Sequence, residues 1–542
     1  MRFLARSAAV LIAAAALSAA PNSAVPAKPD DRAILHVLNR LGFGARPGDL
    51  ERVREMGLDR YIEAQLHPER IPDAAMTTRL AGFETLSLSS RAIAEEYYVP
   101  AQKAKRQAQL ANKNATAASA NPAPSAEDTP GKERTPLEME KARKQREVVL
   151  ELSEQKVLRA AYSDRQLEEV MTDFWFNHFN VFAGKGPTQE YLTSYERDVI
   201  RPHALGKFRD LLESTAKSPA MLFYLDNWQS VDPQAADRMA AERAARAQRA
   251  SRFGFMPPRN PQAGQAQQKQ QPKRGLNENY GREIMELHTL GVDGGYTQQD
   301  VINVARAFTG WTIEQPRQGG GFRFDPRLHD DREKVVLGHK IKAGGGQSDG
   351  EQVLDILAHQ PATAHFIATK LVRRFVSDTP PPALVDRAAK TFLSTDGDIR
   401  EVVRTIVTSP EFFAPEAYRA KVKTPFEFIV SAVRATGAEV TNAQPLVQSV
   451  RQLGMPLYMC QPPTGYADRA DAWVNTGALL NRMNFALQLV SGRMRAVQPG
   501  PGPVGAALTG ELSEATSATI AKATDPTQIA ALTLGSPEFQ RR

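Results

Sequence analysis

Apolar residues recur along most of the chain at the three- and four-residue spacing of amphipathic helices. The first clear case follows Asp31 and ends at Gly42, and its apolar face consists of Ile34, Val37, Leu38 and Leu41. Several later segments place proline at a plausible first helical position, namely Pro219, Pro361, Pro410 and Pro425. This pattern predicts an all-α protein with a large multi-helix body.

Residues 311–341 depart from the helical spacing. Their apolar pieces are short, rich in β-forming residues and separated by glycine-rich turns: Trp311 to Ile313, Phe322 to Phe324 and Val335 to Leu337. We therefore expect a small β-hairpin elaboration on the helical body.

Two low-complexity segments, 103–136 and 239–274, contain few large apolar residues. Such segments bury too little apolar surface to offset the entropy lost on ordering, so we predict mobile insertions in a single domain over 28–542. Most of the positive charge lies there: the net charge is +4 over 100–149 and +8 over 238–274, against +7 for the whole chain. The remaining body is acidic, which argues against nucleic-acid binding.

The first 27 residues have the order of a secretory signal peptide. Arg2 and Arg6 precede an apolar stretch over 8–17, and Val25-Pro26-Ala27 offers a cleavage site after Ala27. The stretch is shorter than the ~20 residues of a spanning helix, so we expect Sec-type export to the periplasm or beyond, with no stable membrane anchor after cleavage. The single cysteine, Cys460, excludes internal disulfides and cysteine-based zinc sites.

One helix, predicted from Asn277 to Leu290, places a carboxylate in its apolar arc. The arc consists of Leu276, Tyr280, Ile284, Leu287 and Leu290, and Glu283 projects within it. Asn279, Arg282 and Glu286 lie beside Glu283. A carboxylate that faces a core is costly unless it is paired or protonated, which makes it a functional candidate. The plainer interpretation is a surface ion pair between Arg282 and Glu286.

A second helix, predicted from Ser163 to Phe182, also places a polar side chain within its apolar arc. Ser163 and Gln166 predict a capping box at its start. His178 lies in the middle of its apolar arc and Asn177 at the edge. The alternative to a functional role is a core histidine that neighbouring groups satisfy by hydrogen bonding.

Together these helices suggest that His178 and Glu283 meet, directly or through a metal or water. Such a pair could form an oxygen-rich site for a divalent metal, with His178 and Glu283 as ligands, or an acid/base pair. The candidate catalytic residues are Glu283, Glu286 and His178. The candidate binding residues are Asn177, Asn279, Arg282, Asp293 and His329.

Several motifs resemble a bacterial family of unknown function, DUF1800. The first is Leu38-Asn39-Arg40-Leu41-Gly42-Phe43-Gly44. The similarity continues through Asp173-Phe174-Trp175-Phe176-Asn177-His178-Phe179 and Asn277-Glu278-Asn279-Tyr280-Gly281-Arg282-Glu283. It extends to Ala307-Phe308-Thr309-Gly310-Trp311, His329-Asp330, Lys370-Leu371, Lys423-Thr424-Pro425 and Ser536-Pro537-Glu538-Phe539.

The resemblance implies a large, helical, usually exported protein, often encoded beside a second exported family that would be its partner. It supplies no catalytic residues. Many relatives have His at the position of Phe176, so the resemblance argues against a two-histidine ligand pair there in this protein. Relatives also often have Phe in place of His288, which argues against His288 as an essential ligand. Three functions stay open: an enzyme that hydrolyses an envelope or extracellular polymer with metal-assisted or acid/base chemistry, a non-catalytic export or assembly partner, and a purely structural secreted protein.

Overall fold

The computed structural model describes residues 23–100, 136–252, 275–500, 502, 504 and 512–542. Most of the predicted signal peptide lies outside these residues. The same holds for residues 103–135 of the first predicted insertion and 253–274 of the second.

Helices dominate the described residues, and the prediction of a mainly α-helical fold is confirmed. The helices before residue 253 are Asp31–Arg40, Asp49–Met56, Leu58–Leu66, Ala74–Leu80, Ser90–Ile93, Pro136–Tyr162, Gln166–His178, Leu192–Ser194, Arg201–His203, Phe208–Lys217, Pro219–Tyr224 and Pro233–Arg252. Those after residue 274 are Glu278–Met285, Gln298–Ala307, Ser348–Ala358, Pro361–Phe375, Pro382–Ser394, Ile399–Val407, Pro410–Phe413, Pro425–Ala435, Gln444–Gln452, Thr476–Val490, Glu514–Ile520 and Pro526–Gly535. Wider π-helical turns occupy Ala94–Tyr98, Tyr195–Ile200 and Glu286–Leu290.

The predicted helix starts vary in accuracy. All four prolines named above occupy the first turn of their helices. Asn277 caps its helix by accepting a hydrogen bond from the Tyr280 amide. The capping box at Ser163 is wrong, because the helix begins at Gln166, whose side chain instead donates to the Ser163 carbonyl.

Part of the second predicted insertion is helical. Helix Pro233–Arg252 includes residues 239–252, which the composition had suggested to be mobile. Alanine, arginine and glutamine are strong helix formers, so this stretch continues a helix even though it has few large apolar residues to bury.

In the part of the chain that the structure describes, the strands form three antiparallel two-stranded sheets. Strands β1 (Trp311–Ile313) and β2 (Phe322–Phe324) form one hairpin, and β3 (Lys334–Val336) and β4 (His339–Ile341) form another. Residues 311–341 thus contain two hairpins where the sequence predicted a small hairpin elaboration. The third sheet, which pairs β5 (Glu439–Val440) with β6 (Val497–Gln498), was not predicted.

One apolar core of buried residues runs from Ile34 to Phe539. At one side of this core, the first helix and the C-terminal residue both form hydrogen bonds with the segment 412–427. The His36 ring donates to the Phe412 carbonyl, and Arg40 donates to that of Ala417. The backbone amide of Arg542 donates to the Lys421 carbonyl at 2.8 Å.

A buried carboxylate neutralises part of this region. Glu427 lies 2.7 Å from the Arg374 guanidinium and 3.0 Å from that of Arg542, and its other oxygen accepts from the Thr424 amide. These two arginines and Glu427 are all at least 95% buried. The arginines and the amide hold the pKa of Glu427 at about 2, although burial acts in the opposite direction.

Substituting Gly281 tests how closely two helices pack. A Cβ atom at Gly281 would lie 2.8 Å from the Val301 carbonyl oxygen and 3.0 Å from the Ala305 amide, both on helix Gln298–Ala307. Because backbone cannot yield easily, Gly281→Ala should destabilise the protein by about 1–3 kcal/mol in denaturant unfolding. Gly82→Ala is the control, since nothing lies within 4 Å of its Cβ position. Equal stability of the two variants would contradict the close packing.

Candidate active site

A cavity of about 230 Å³ lies between helices Gln166–His178 and Pro361–Phe375 and the loop 464–469. The cavity combines charged groups with an apolar wall. It is lined by Asp173, Phe174, Asn177, His178, Lys370, Arg373, Arg374, Thr424, Met455, Thr464, Tyr466, Ala467, Asp468 and Arg469.

His178 is buried at the cavity wall, and both of its ring nitrogens are engaged. Nε2 lies 3.1 Å from the backbone carbonyl oxygen of His288, which can only accept, so Nε2 carries a proton and donates. In the neutral ring Nδ1 then accepts from Nζ of Lys370, at 2.8 Å. Burial lowers the pKa of His178 well below its usual value, and the neighbouring Lys370 lowers it further.

Lys370 lines the cavity together with His178 and is the more exposed of the two. It is half-buried, with Nζ 5.4 Å from the centre of the Phe366 ring. No described carboxylate lies within 4.0 Å of its Nζ. Burial lowers the pKa of Lys370 to about 8; Asp468 opposes this and Arg373 reinforces it. A lysine near this value supplies both an ammonium and a usable neutral amine close to neutral pH.

The two carboxylates of the cavity are paired with lysines. Asp173 lies 2.8 Å from Nζ of Lys156, and Asp468 lies 2.8 Å from Nζ of Lys421. Both lysines are buried. Both carboxylates thus have a lysine partner that lies outside the cavity lining, and Lys421 is shared between Asp468 and Asp378.

Asn177 fastens the loop that closes one side of the cavity. Its amide donates to the Tyr466 carbonyl at 2.8 Å, and its oxygen accepts from the Tyr466 amide at 2.7 Å. At Gly465, where φ is +72°, a Cβ atom would lie 2.2 Å from the Asn177 carbonyl oxygen. The loop thus depends on a glycine at this position.

The structure brings His178 and Asn177 to one site but leaves the other candidates elsewhere. Glu283 is half-buried, and its side chain forms no hydrogen bond or ion pair with a described residue. Burial raises the pKa of Glu283, and Glu286 raises it further. No direct contact joins Glu283 to His178 within the described chain, because the histidine nitrogens are bonded to Lys370 and to the His288 carbonyl.

The neighbours of Glu283 have local structural contacts. Glu286 accepts from the Tyr296 hydroxyl at 2.9 Å. Arg282 donates to Gln298 at 2.7 Å, so the alternative of an Arg282–Glu286 ion pair is not observed among the described residues. Asn279 is exposed.

The remaining two candidates, Asp293 and His329, lie in different environments. Asp293 is exposed. His329 is buried and lies 3.2 Å from Asp349, which also accepts from Lys334 at 2.7 Å. His329 therefore belongs to a separate buried polar cluster. Among the residues that the structure describes, no group of three or more His, Cys, Asp or Glu side chains is arranged to hold a metal ion.

The model of a protein family described as "Protein of unknown function (DUF1800)" matches residues 36–541. The chain belongs to the DUF1800 family. Comparison with curated proteins and with solved structures gives no significant match. In the described part of this DUF1800 protein, no helix is both long and apolar enough to cross a membrane.

Sequence reasoning missed the residues that complete the DUF1800 cavity: Lys370, Arg373, Tyr466 and Asp468. A signal for the first two was present. Helix Pro361–Phe375 carries three cations, Lys370, Arg373 and Arg374, within five residues of an otherwise largely apolar stretch. The motifs Asp173 to Phe179, Lys370-Leu371 and Lys423-Thr424-Pro425, on which the family resemblance was based, also converge at this cavity.

Proposed function

We propose that this DUF1800 protein is an exported enzyme that performs acid/base hydrolysis in the cavity between Lys370 and His178. The observation that carries the proposal is the 2.8 Å contact between Lys370 Nζ and His178 Nδ1. It places a lysine of lowered pKa on the wall of a cavity, in the position that a proton-transferring group needs.

In the proposed reaction the neutral amine of Lys370 takes a proton from water as the water oxygen attacks the atom that bears the departing oxygen. The resulting ammonium returns that proton to the departing oxygen, so no proton is gained or lost overall. His178 is a positioning residue. Its Nδ1 accepts one N–H of Lys370 and leaves the lone pair of the neutral amine free to face the cavity.

The proposed substrate is an envelope or extracellular polymer, in keeping with export. Export itself is supported by the order of charged, apolar and small residues over 1–27. Relative to the sequence-based hypothesis, Lys370 replaces Glu283 as the partner of His178. Glu283 and Glu286 lie outside the residues that line the cavity.

An activity screen of the mature protein on envelope and extracellular polymers tests the proposal. Lys370→Gln should lose at least about 100-fold in kcat/KM, because it removes the proton-transferring group. The kcat/KM of the wild type should rise as the pH increases through about 8, since the neutral amine of Lys370 forms above its pKa of about 8. His178→Phe should move this inflection as well as lower the rate, an effect that a purely structural role would not produce.

Lys390→Gln is the matched control, since Lys390 is exposed on helix Pro382–Ser394. It should behave as wild type. Hydrolysis by Lys370→Gln at the wild-type rate, or the absence of any polymer that the wild type cleaves faster than the variant, would contradict the proposed chemistry.

The alternative of a non-catalytic assembly partner is favoured by one surface. Helix Thr476–Val490 exposes Leu479, Leu480 and Leu487, with the last two seven residues apart and so on one helical face. Exposed apolar side chains on one face are typical of a surface that another protein covers. This alternative makes no use of Lys370, so the same variants separate it from the enzyme: partner capture would survive Lys370→Gln.

A further inference from the structure

Two of the cations that line the cavity, Lys370 and Arg373, have no carboxylate partner among the described residues. In that part of the chain the only hydrogen-bond partner of the Lys370 side chain is the neutral ring of His178. Arg373 forms no hydrogen bond or ion pair with any residue that the structure describes, and its Nε is buried without a partner. Arg469 has only a 3.7 Å contact with Asp471, and both side chains are more than half exposed. The fourth cation, Arg374, is paired with Glu427.

The missing counter-charge is not supplied by the acidic side chains of the cavity. Asp173 and Asp468 are paired with Lys156 and Lys421, as described above. The Arg373 guanidinium lines the cavity without a carboxylate partner among the described residues, and an anionic ligand in the cavity would supply one. The unmatched positive charge therefore points to a ligand that brings its own negative charge.

Arg373 is suitably placed to hold an anionic group beside Lys370. The two residues are three apart on helix Pro361–Phe375, so their side chains leave the same helical face. Arginine donates through a planar fork that fits two oxygens of a carboxylate or phosphate, which leaves Lys370 as the neutral amine that the proposed reaction needs.

The rest of the wall suits an organic body rather than a bare ion. Phe174, Met455 and Tyr466 supply apolar surface, and Asn177 holds Tyr466 in place through the two hydrogen bonds described above. Sugar rings and short carbon chains pack on such surfaces, and aromatic side chains provide large rigid contact areas.

We infer that the cavity binds the oxyanion group of an organic molecule on Arg373, beside the reactive amine of Lys370, with its uncharged body against Phe174 and Tyr466. This inference rests on the proposed function in taking the cavity as the substrate site. It names the substrate class: a polymer residue that carries a carboxylate or a phosphate.

Calorimetric titration of the full mature chain tests the inference without any turnover. The probes are glucuronate for a carboxylate source, glucose 6-phosphate for a phosphate source, inorganic phosphate, and uncharged glucose. We expect at least one of the two anionic sugars to bind with a Kd of about 10 mM or tighter. Glucose should bind at least about tenfold more weakly, because it lacks the charge-assisted hydrogen bonds. The anionic sugar that binds identifies the source of the oxyanion.

Arg373→Gln should weaken binding of that sugar at least about tenfold, because it removes a charged donor. Arg387→Gln, which changes an arginine outside the cavity, should leave the Kd unchanged, and the circular dichroism of both variants should match wild type. Three results would overturn the inference: no binding of either anionic sugar, equal binding of glucose, or an unaltered Kd in Arg373→Gln. Binding of inorganic phosphate alone would overturn the assignment of an organic ligand.

Failure of the oxyanion inference can be distinguished from failure of the proposed catalysis. If an anionic sugar binds and Arg373→Gln weakens it, but no polymer is hydrolysed, only the proposed catalysis is wrong. If hydrolysis depends on Lys370 while Arg373→Gln changes neither Kd nor KM, only the oxyanion inference is wrong.

Discussion

Glu427→Gln should lower the free energy of unfolding by about 3–5 kcal/mol, since breaking a buried ion pair from one side leaves uncompensated charge in the core. Glu427 lies within 3.0 Å of Arg374 and Arg542, and all three side chains are buried. A neutral amide at this position would retain a contact with the Thr424 backbone but would leave both guanidinium groups without the charge that offsets their desolvation.

The effect of Glu427→Gln should depend on pH. The pKa of Glu427 is lowered to about 2 in the folded protein, so its contribution is complete above the unfolded value of about 4.5. It disappears as the pH falls from about 4.5 towards 2. The gap between variant and wild type in denaturant unfolding should therefore narrow over that window. Glu55→Gln, at an exposed position, is the control and should change stability by less than about 0.5 kcal/mol. A similarly small effect at Glu427 would show that the arginines need no carboxylate.

His288→Phe should make the protein more resistant to acid than the wild type. His288 is buried, and burial lowers its pKa to about 3, with Lys370 acting in the same direction. Its folded-state pKa is thus below the unfolded value of about 6.5, and the unfolded chain alone takes up the proton between these values. The wild type should lose about 1.4 kcal/mol per pH unit from this residue as the pH falls through that window, or about 5 kcal/mol over its whole width.

Denaturant unfolding of wild type and His288→Phe at pH 7.5 and pH 5.0 measures this difference. The stability of the variant relative to wild type should rise by about 2 kcal/mol between the two conditions. The backbone carbonyl of residue 288, to which His178 donates, is kept in the variant. His365→Phe changes an exposed histidine on helix Pro361–Phe375 and controls for the added ring. Parallel pH dependence of His288→Phe and wild type would mean that residue 288 takes up its proton in the folded state too.

Local chemistry explains which parts of the fold could be predicted. A proline in the first turn, or an Asn277 side chain that caps a backbone amide, acts over three or four residues, and these positions were assigned correctly. The helix over residues 239–252 was not predicted for a related reason: the stretch lacks large apolar side chains at helical spacing, although alanine and arginine favour a helix without them.

The candidate site was harder to predict. Hydrophobic periodicity indicates which face of a helix is buried, but it does not indicate which other segment of the chain packs against that face. The arcs correctly placed His178 in the core and found Glu283 beside apolar neighbours. Nothing in either arc indicated that the partner of His178 would be Lys370, 192 residues further along. The π-helical turn Glu286–Leu290 adds a further difficulty, since it changes the angle per residue that was assumed for the apolar arc of the helix predicted from Asn277 to Leu290.

The closure of the core on the segment 412–427 also determines when this protein can fold. His36 and Arg40 obtain hydrogen-bond partners at Phe412 and Ala417, more than 370 residues later in synthesis. Contacts of such long sequence separation form slowly and only after the distant segment has been made. The first helix therefore stays without its native support for most of translation. We propose that the chain crosses a membrane unfolded. Slow formation of these contacts would leave it unfolded while it is being exported.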